Sequence, residues 1–352
     1  MTDEEFVRSC FERFLRRPAE KEGLDYYLQR LAEGADRLDV VQGIVVGEEF
    51  LAMLMRQAFG THVGSPVLAF APPGHYYSPI PSTADVERWA TAKWLQPPEA
   101  LVGVDLNVDG QLRMLSTLGP LSDALVFADD PGGPTRYWWD NDGFSPGDAT
   151  VLATMLMHYQ PKRVLEVGAG YSTAVMLDVS ERYLANPPTI VCIDPEPGRL
   201  RSVLRGDEAG LTIHETIVQN LPIELFTTLE ANDILFIDSS HVLKLGSDVS
   251  LLFLEVLPRL RPGVVVHIHD IATSFEYPLE WYEEGRAWNE APALRAFLAF
   301  NQAYEILYFC DYMNRFQTET VARRMPLALR PPKGAPAGNT SVSFWMRRRS
   351  PG

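Results

Sequence analysis

The segment Val164-Leu165-Glu166-Val167-Gly168-Ala169-Gly170-Tyr171-Ser172-Thr173 limits the fold more than any other stretch of this chain. A short apolar strand, Arg163 to Val167, turns through two glycines and re-enters an apolar, helix-compatible run from Thr173 to Leu184. Strand–turn–helix units of this kind belong to α/β nucleotide-binding architectures, where glycines let the backbone approach a ligand closely. Thr173 stands where a dinucleotide fingerprint carries its third glycine, so a pyrophosphate is poorly served. Glu166 precedes the glycines, where a carboxylate repels phosphate and accepts an ammonium group. A ligand with a cationic amino-acid end and a ribose meets both conditions.

The next strand, Thr189 to Asp194, is apolar and β-branched and ends in Asp194-Pro195-Glu196. A carboxylate at the tip of a second strand is placed to accept hydrogen bonds from two ribose hydroxyls. With E-x-G-x-G followed by this strand-ending acid, the sequence resembles the class I S-adenosylmethionine-dependent methyltransferases. The resemblance implies S-adenosylmethionine as cofactor. It places Glu166, Gly168, Gly170 and Ser172 along the methionine end and Asp194 on the ribose.

Beyond Asp148 the chain alternates helix and strand. An apolar helix over 149–159 feeds strands expected at 163–168, 189–194, 211–216, 233–238, 263–268, 304–310 and 341–347. Helical patterns such as 249–260 fill most gaps. This order predicts an α/β fold with a doubly wound, seven-stranded, Rossmann-like sheet. Val342 to Met346 would supply the antiparallel strand typical of the methyltransferase sheet. A small all-α domain precedes it. The expected organisation is a helical docking or binding domain over 1–60, a proline- and aromatic-rich connecting and lid segment over 61–145, and the cofactor-binding domain over 146–352.

Ligands of such sheets bind outside the carboxyl ends of the strands. After the third strand, Gln219 or Asn220 is placed to read the adenine amino group. The fourth strand ends in Asp238-Ser239-Ser240-His241 and the fifth in His267-Ile268-His269-Asp270. Transfer of a methyl group to a hydroxyl needs a base, a Lewis-acidic cation, or both. In metal-dependent O-methyltransferases an acid after the fourth strand and a D-[DN] pair after the fifth hold magnesium. The resemblance thus implies Asp238, His269 and Asp270 as ligands of Mg2+ or Mn2+, with the second site carrying His269-Asp270 in place of that pair. His241, three residues past Asp238, is the expected general base, with Asp238 beside it in the catalytic pair. An imidazole at its ordinary pKa of about 6.5 would give a rate rising through that pH. Of the two histidines of the fifth strand, His267 or His269, but not both, is expected to reach the pocket.

Two further regions bear on the acceptor. Gly74-His75-Tyr76-Tyr77-Ser78 and the long loop over 272–290, with Trp281, Tyr282, Trp288, Asn289 and Glu290, concentrate rings that stack on sugars and groups that read hydroxyls. Arg136-Tyr137-Trp138-Trp139 reads as a lid or as a cover for an apolar edge. His75, Tyr76, Tyr77, Trp281 and Tyr282 are the expected substrate-binding residues. The region over 68–347 resembles bacterial methyltransferases of cell-surface glycan synthesis, which implies a sugar or glycan-precursor hydroxyl as acceptor. A small-molecule natural-product O- or N-methyltransferase and an inactive glycan-binding scaffold are the competing readings.

The N-terminal helices show apolar steps of three and four at Phe6, Cys10, Phe11 and Phe14, and at Leu24, Tyr27, Leu28 and Leu31. Phe14-Leu15-x-Arg17-Pro18, Glu22-Gly23-Leu24-x-Tyr26-Tyr27 and Gly47-Glu48-Glu49-Phe50 resemble a small helical domain of unknown function found in bacterial surface and glycan-related proteins. A partner protein or glycan docked there, and a homo-oligomer, are the expected associations. A net charge of −15 over 352 residues argues against nucleic acid as substrate. Three widely spaced cysteines give neither a disulfide framework nor a zinc cluster. With an acidic N-terminus and no apolar run of about 18 residues, a cytoplasmic protein without a membrane span is expected.

Overall fold

The structure, a computed structural model, describes residues 1–47, 49–50, 53, 70–94, 99–206, 208–331 and 341–350. The chain divides into two compact units, Met1–Phe70 and Ala71–Gly352. The boundary expected at residue 60 lies outside the described residues, as does Glu48.

In the first unit, helices Asp3–Cys10 and Arg37–Val45 both begin in capping boxes, from Thr2 and Asp36. Helix Lys21–Ala32 lies between them in sequence. The three enclose a small core of Val7, Cys10, Phe11, Leu24, Val40 and Ile44. The motif residues meet in space. Arg17 Nε donates to Glu49 at 2.5 Å, and the Phe14 and Phe50 rings sit edge to face at 6.2 Å. The sequence pattern therefore encodes closure of the bundle.

The second unit is built on one sheet: β1 (Arg163–Val167), β2 (Thr189–Ile193), β3 (Leu211–His214), β4 (Ile234–Ile237), β5 (Val265–Ile268), β6 (Tyr304–Phe309) and β7 (Phe344–Arg348). Its order is β3-β2-β1-β4-β5-β7-β6. Strands β1 to β5 are parallel, and β7 runs antiparallel between β5 and β6, as the sequence predicts. The runs Ile234–Ile237 and Val265–Ile268 are wholly buried, as parallel strands covered on both faces must be. The order reverses between β1 and β4. That topological switch opens a crevice at their carboxyl ends.

Helix Pro146–Tyr159 is buried along nearly its whole length, so its apolar residues surround it rather than forming a stripe. Ser145 caps its start by accepting the Asp148 N–H, and Pro146 occupies the first turn, where its missing N–H costs nothing. Residues 71–145 join this same unit. Leu115, Leu118 and Tyr137 are completely buried in its core. Of the two readings of Arg136–Trp139, a lid or a cover for an apolar edge, the packing agrees with the cover: Tyr137 and Trp139 pack edge to face with Phe127 at 5.0 and 5.1 Å. Among the described residues no helix is long and apolar enough to cross a membrane.

Candidate active site

A cavity of about 350 Å³ opens at the switch point, lined by the turn over 168–172, by Asp194 and Glu196 after β2, and by Asp238 after β4. Gly143, Phe144 and Arg199 complete the wall. Gly168 has φ +85°, and a Cβ there would fall 1.8 Å from the Asp238 carbonyl oxygen, so only glycine fits. Gly170 has an extended φ of −177°, and its bareness matters for space against Arg199 instead.

Asp194 Oδ2 accepts the Ala169 N–H at 2.9 Å, and its Oδ1 accepts the Glu196 N–H at 2.7 Å. The carboxylate thus fixes the glycine turn while lining the cavity. Each oxygen keeps a lone pair for a ligand hydroxyl. The cavity has the size of a small-ligand site, and its bare-backbone cradle and three carboxylates suit a cofactor with ribose and cationic groups. Asp194→Ala should weaken binding of S-adenosylhomocysteine at least tenfold, since each charge-assisted bond is worth about 1.5–3 kcal/mol. Calorimetry checks this; unchanged affinity with an intact fold would exclude Asp194 from the ribose.

Several expected positions are corrected. Glu166 is wholly buried and does not line the cavity. It accepts hydroxyl hydrogen bonds from Ser172 at 2.6 Å and Thr173 at 2.5 Å, anchoring the first turn of helix Tyr171–Tyr183. Burial lifts its pKa to about 7 against the pull of those bonds. Gln219 and Asn220 are also off the cavity wall. Gln219 Nε2 donates to the Gly246 carbonyl at 2.8 Å, and Asn220 Nδ2 to Thr216 Oγ1 at 2.9 Å. His75 and Tyr76 stack on each other at 4.3 Å, with Tyr76 and Tyr77 largely exposed, and none of the three lines a described cavity.

Beside Asp238 lies a cluster of carboxylates and imidazoles. His241 Nε2 is 3.4 Å from both Asp238 Oδ1 and Asp270 Oδ2, and its Nδ1 is 2.8 Å from Glu290 Oε2. His269 Nδ1 lies 3.6 Å from Asp238 and 3.4 Å from Asp270, and its Nε2 lies 3.6 Å from Asp148. His267, two residues earlier, lies on the same strand face with its ring 5.8 Å from that of His269, but it is turned into the core. It stacks on Phe236 at 3.7 Å and bonds Ser343 Oγ at 2.9 Å, so only one of the pair reaches the cluster. His241 (φ 59°) and Asp270 (φ 58°) both adopt the left-handed conformation, uncommon for residues other than glycine. The N–H groups of Asn289 and Glu290 donate to the His241 carbonyl at 3.0 and 3.1 Å and hold it there.

Ligand atoms of Asp238, His241 and Asp270 all lie within 4.8 Å of one another. His241, expected as the base, shares this donor set, while His269 Nδ1 lies 3.6 and 3.4 Å from the same two aspartates. The donors fit a hard divalent cation, which the surplus of carboxylates would favour. Glu290 Oε1 is buried with no hydrogen-bond partner among the described residues.

Burial works against charging His241, but hydrogen bonds to Asp238 and Glu290 and the charge of Asp270 prevail and raise its pKa to about 10. Without a cation it is an imidazolium at neutral pH, which corrects the rate profile expected near 6.5. Its folded pKa exceeds its unfolded value of about 6.5, so its stabilisation is complete below that pH and is lost as pH rises through about 10. The chelated protein should therefore lose melting temperature between pH 7 and 10, and His241→Ala should lessen that slope. Equal slopes in the two proteins would contradict the assignment.

Glu290 and Asp148 escaped the sequence analysis as members of this cluster. Asp148 Oδ1 accepts the Val342 and Ser343 N–H groups at 3.0 and 2.9 Å, a contact no local pattern announces.

Known proteins resemble this chain as follows. Residues 165–271 match a methyltransferase domain family, and residues 1–54 a domain of unknown function. An uncharacterized protein of Archaeoglobus fulgidus is 31% identical over 178 residues, covering 49% of this chain and 80% of its own. A chorismate synthase of Acidothermus cellulolyticus is 30% identical over 148 residues, 42% of this chain but only 36% of its own. The O-methyltransferase TomG of Streptomyces achromogenes, solved with its cofactor, is 14% identical with a TM-score of 0.37, covering 76% of this chain and 99% of its own. The chain is in one family with the archaeal protein, and residues 165–271, which hold the glycine turn and the strand-ending carboxylates Asp194, Asp238 and Asp270, form a methyltransferase domain.

Proposed function

We propose that this enzyme methylates a hydroxyl of a sugar or glycan precursor, assisted by Mg2+ or Mn2+ at the carboxylate–imidazole cluster. The observation that carries the reading is the position of Asp238. It lines the cofactor cavity and lies 3.4 Å from His241 Nε2, so the methyl donor's cavity and a proton acceptor share one carboxylate.

When bound, S-adenosylmethionine supplies an electrophilic methyl, and the cation supplies Lewis acidity that acidifies the acceptor hydroxyl. Asp238 and Asp270 would hold the cation, joined by the His269 imidazole, whose Nδ1 lies 3.6 and 3.4 Å from them; an imidazole ligand favours manganese over magnesium. Engaging those carboxylates removes much of what keeps His241 charged. Glu290 still orients the ring through Nδ1, leaving Nε2 to take the hydroxyl proton; the acceptor oxygen would bond to the methyl carbon and S-adenosylhomocysteine would leave as a neutral thioether. The rings of Trp288, Tyr277 and Trp281 gather behind His241, with Trp288 at 4.4 Å and Tyr277 at 6.5 Å from its ring, a setting suited to a sugar face.

Two results test the chemistry. Exhaustive chelation should abolish activity, and manganese or magnesium should restore it; full activity in chelator would leave the carboxylates to orient the acceptor directly. His241→Ala should lower turnover about a hundredfold with nearly unchanged cofactor affinity. Wild-type turnover in that variant would make His241 structural. Incubation with labelled cofactor and fractionated glycan precursors, followed by location of the label, tests the acceptor class. Label on a nitrogen or on a small non-sugar product would favour a natural-product methyltransferase instead. The N-terminal helical unit is proposed to dock a protein or glycan partner and the protein to self-associate; sedimentation at the monomer mass would refute the self-association.

A further inference from the structure

A second cavity of about 250 Å³ lies between helix Thr83–Trp94 and the loop that carries Trp288. Trp89, Tyr282 and Trp288 give it aromatic faces, Pro81 gives it an aliphatic edge, and Asp85 and Glu276 are its charged members. Trp288 forms part of its wall while the same indole packs at 4.4 Å against the His241 ring. His241 in turn sits 3.4 Å from Asp238, which lines the cofactor cavity. The contacts Trp288–His241–Asp238 thus link the wall of one cavity to that of the other.

We propose that this second cavity is the acceptor subsite and that it takes a neutral, hydroxylated ring of pyranose size. The inference rests on the methyltransferase reading above and names the chemistry of its acceptor. Among the described residues no arginine, lysine or histidine lines the cavity; Asp85 is paired with Arg88 at 2.6 Å, and the Glu276 carboxylate would repel a phosphate or a carboxylate group. A cationic ligand is disfavoured as well. Arg286 already lies 4.8 Å from the Trp281 ring centroid and 5.0 Å from that of Trp288, so a cation on Trp288 would face a guanidinium across the same indole. A sugar meets both constraints: its C–H face packs on indole and phenol rings, and its equatorial hydroxyls donate to carboxylate oxygens. Glu276 is oriented for this by the Trp89 indole N–H, which donates to its Oε1 at 2.8 Å. Trp89 is 56% exposed, so a ligand in the cavity can reach its ring.

The test uses the full chain saturated with S-adenosylhomocysteine and ligand-observed NMR titration of neutral methyl pyranosides, with choline as a cationic comparator. At least one methyl pyranoside should bind saturably, and choline should bind at least tenfold more weakly. Trp89→Ala should weaken that pyranoside at least tenfold with unchanged affinity for S-adenosylhomocysteine, and Trp89→Phe should recover most of the loss by restoring a ring. The inference is overturned if no pyranoside binds, if choline binds as well as the best pyranoside, or if Trp89→Ala leaves binding intact. A pyranoside that binds through Trp89 yet receives no label from the cofactor would sink the sugar-methylation reading while upholding the subsite. Label transfer to a sugar, with binding indifferent to Trp89, would do the reverse.

Discussion

Asp238→Asn should reduce turnover by roughly a thousandfold, the largest kinetic effect expected of any single replacement in this enzyme. A transition-state loss of about 4 kcal/mol corresponds to that factor and is at the upper end of what one preorganised electrostatic group supplies. Asp238 reaches this rank by position. It touches the cofactor cavity, stands 3.4 Å from His241 and 3.6 Å from His269, and belongs to the donor set that fits a cation. Burial alone would raise its pKa, but the charge of His269 and the hydrogen bond to His241 outweigh it and hold the carboxyl well below the usual carboxylate range. It is therefore an anion throughout the working pH range. The amide keeps the shape and removes the charge, so the turn at Gly168, which packs on the Asp238 main chain rather than its side chain, should persist. Affinity for S-adenosylhomocysteine, measured by calorimetry, should change far less than turnover. A variant within tenfold of wild-type turnover would show that the cluster is not the reaction centre.

The parts of this site that lie at strand ends were legible because strand and turn signals are local. Gly168, Asp194, Asp238 and Asp270 each follow a short apolar run, and the sheet order then converges those ends on one crevice. Glu166 shows where that reasoning stops. Most of β1 is buried, so no polar alternation marks which face a side chain takes, and Glu166 turns toward the Ser172 and Thr173 hydroxyls rather than the cavity. Gln219 failed for another reason: its amide closes a loop contact with Gly246, a partner 27 positions away.

Glu290 and Asp148 were hidden by distance along the chain. Each enters the cluster from a helix N-terminal turn, where an acid is also the ordinary favourable residue for the helix dipole. Local sequence cannot separate those two uses. The three-residue step from Asp238 to His241 was readable, whereas the carboxylate that orients His241 comes 49 positions later. The same contrast holds for the aromatic segments. His75, Tyr76 and Tyr77 looked functional by composition alone, yet they stack on one another in solvent, while Trp89, which composition did not single out, lines the second cavity.

Replacing Arg136 by methionine should cost about 3–5 kcal/mol of stability, the range seen when one member of a buried ion pair is removed. The guanidinium is 5% exposed and donates to Asp178 at 3.0 Å, to Glu181 at 2.7 and 2.8 Å, and to Glu208. Asp178 is just as buried and also accepts the Tyr137 N–H at 2.9 Å. Methionine fills the space but leaves the Asp178 carboxylate buried without its cation. Burial already raises the Asp178 pKa, and removing Arg136 should raise it further. A carboxyl with a folded pKa above its unfolded value destabilises the fold increasingly as pH climbs past the unfolded value of about 3.9. The deficit of the variant should therefore be largest near pH 8 and shrink as pH falls toward 5. Adding Asp178→Asn should recover part of it at pH 8. The consequence reaches the active site, since the Tyr137 hydroxyl donates to the Phe144 carbonyl at 2.9 Å and Phe144 lines the cofactor cavity. Loss of the Arg136 anchor should thus weaken S-adenosylhomocysteine binding as well as stability. Denaturant unfolding at pH 5 and pH 8 decides the matter: a loss below about 1 kcal/mol at both would mean that the buried network contributes specificity rather than stability.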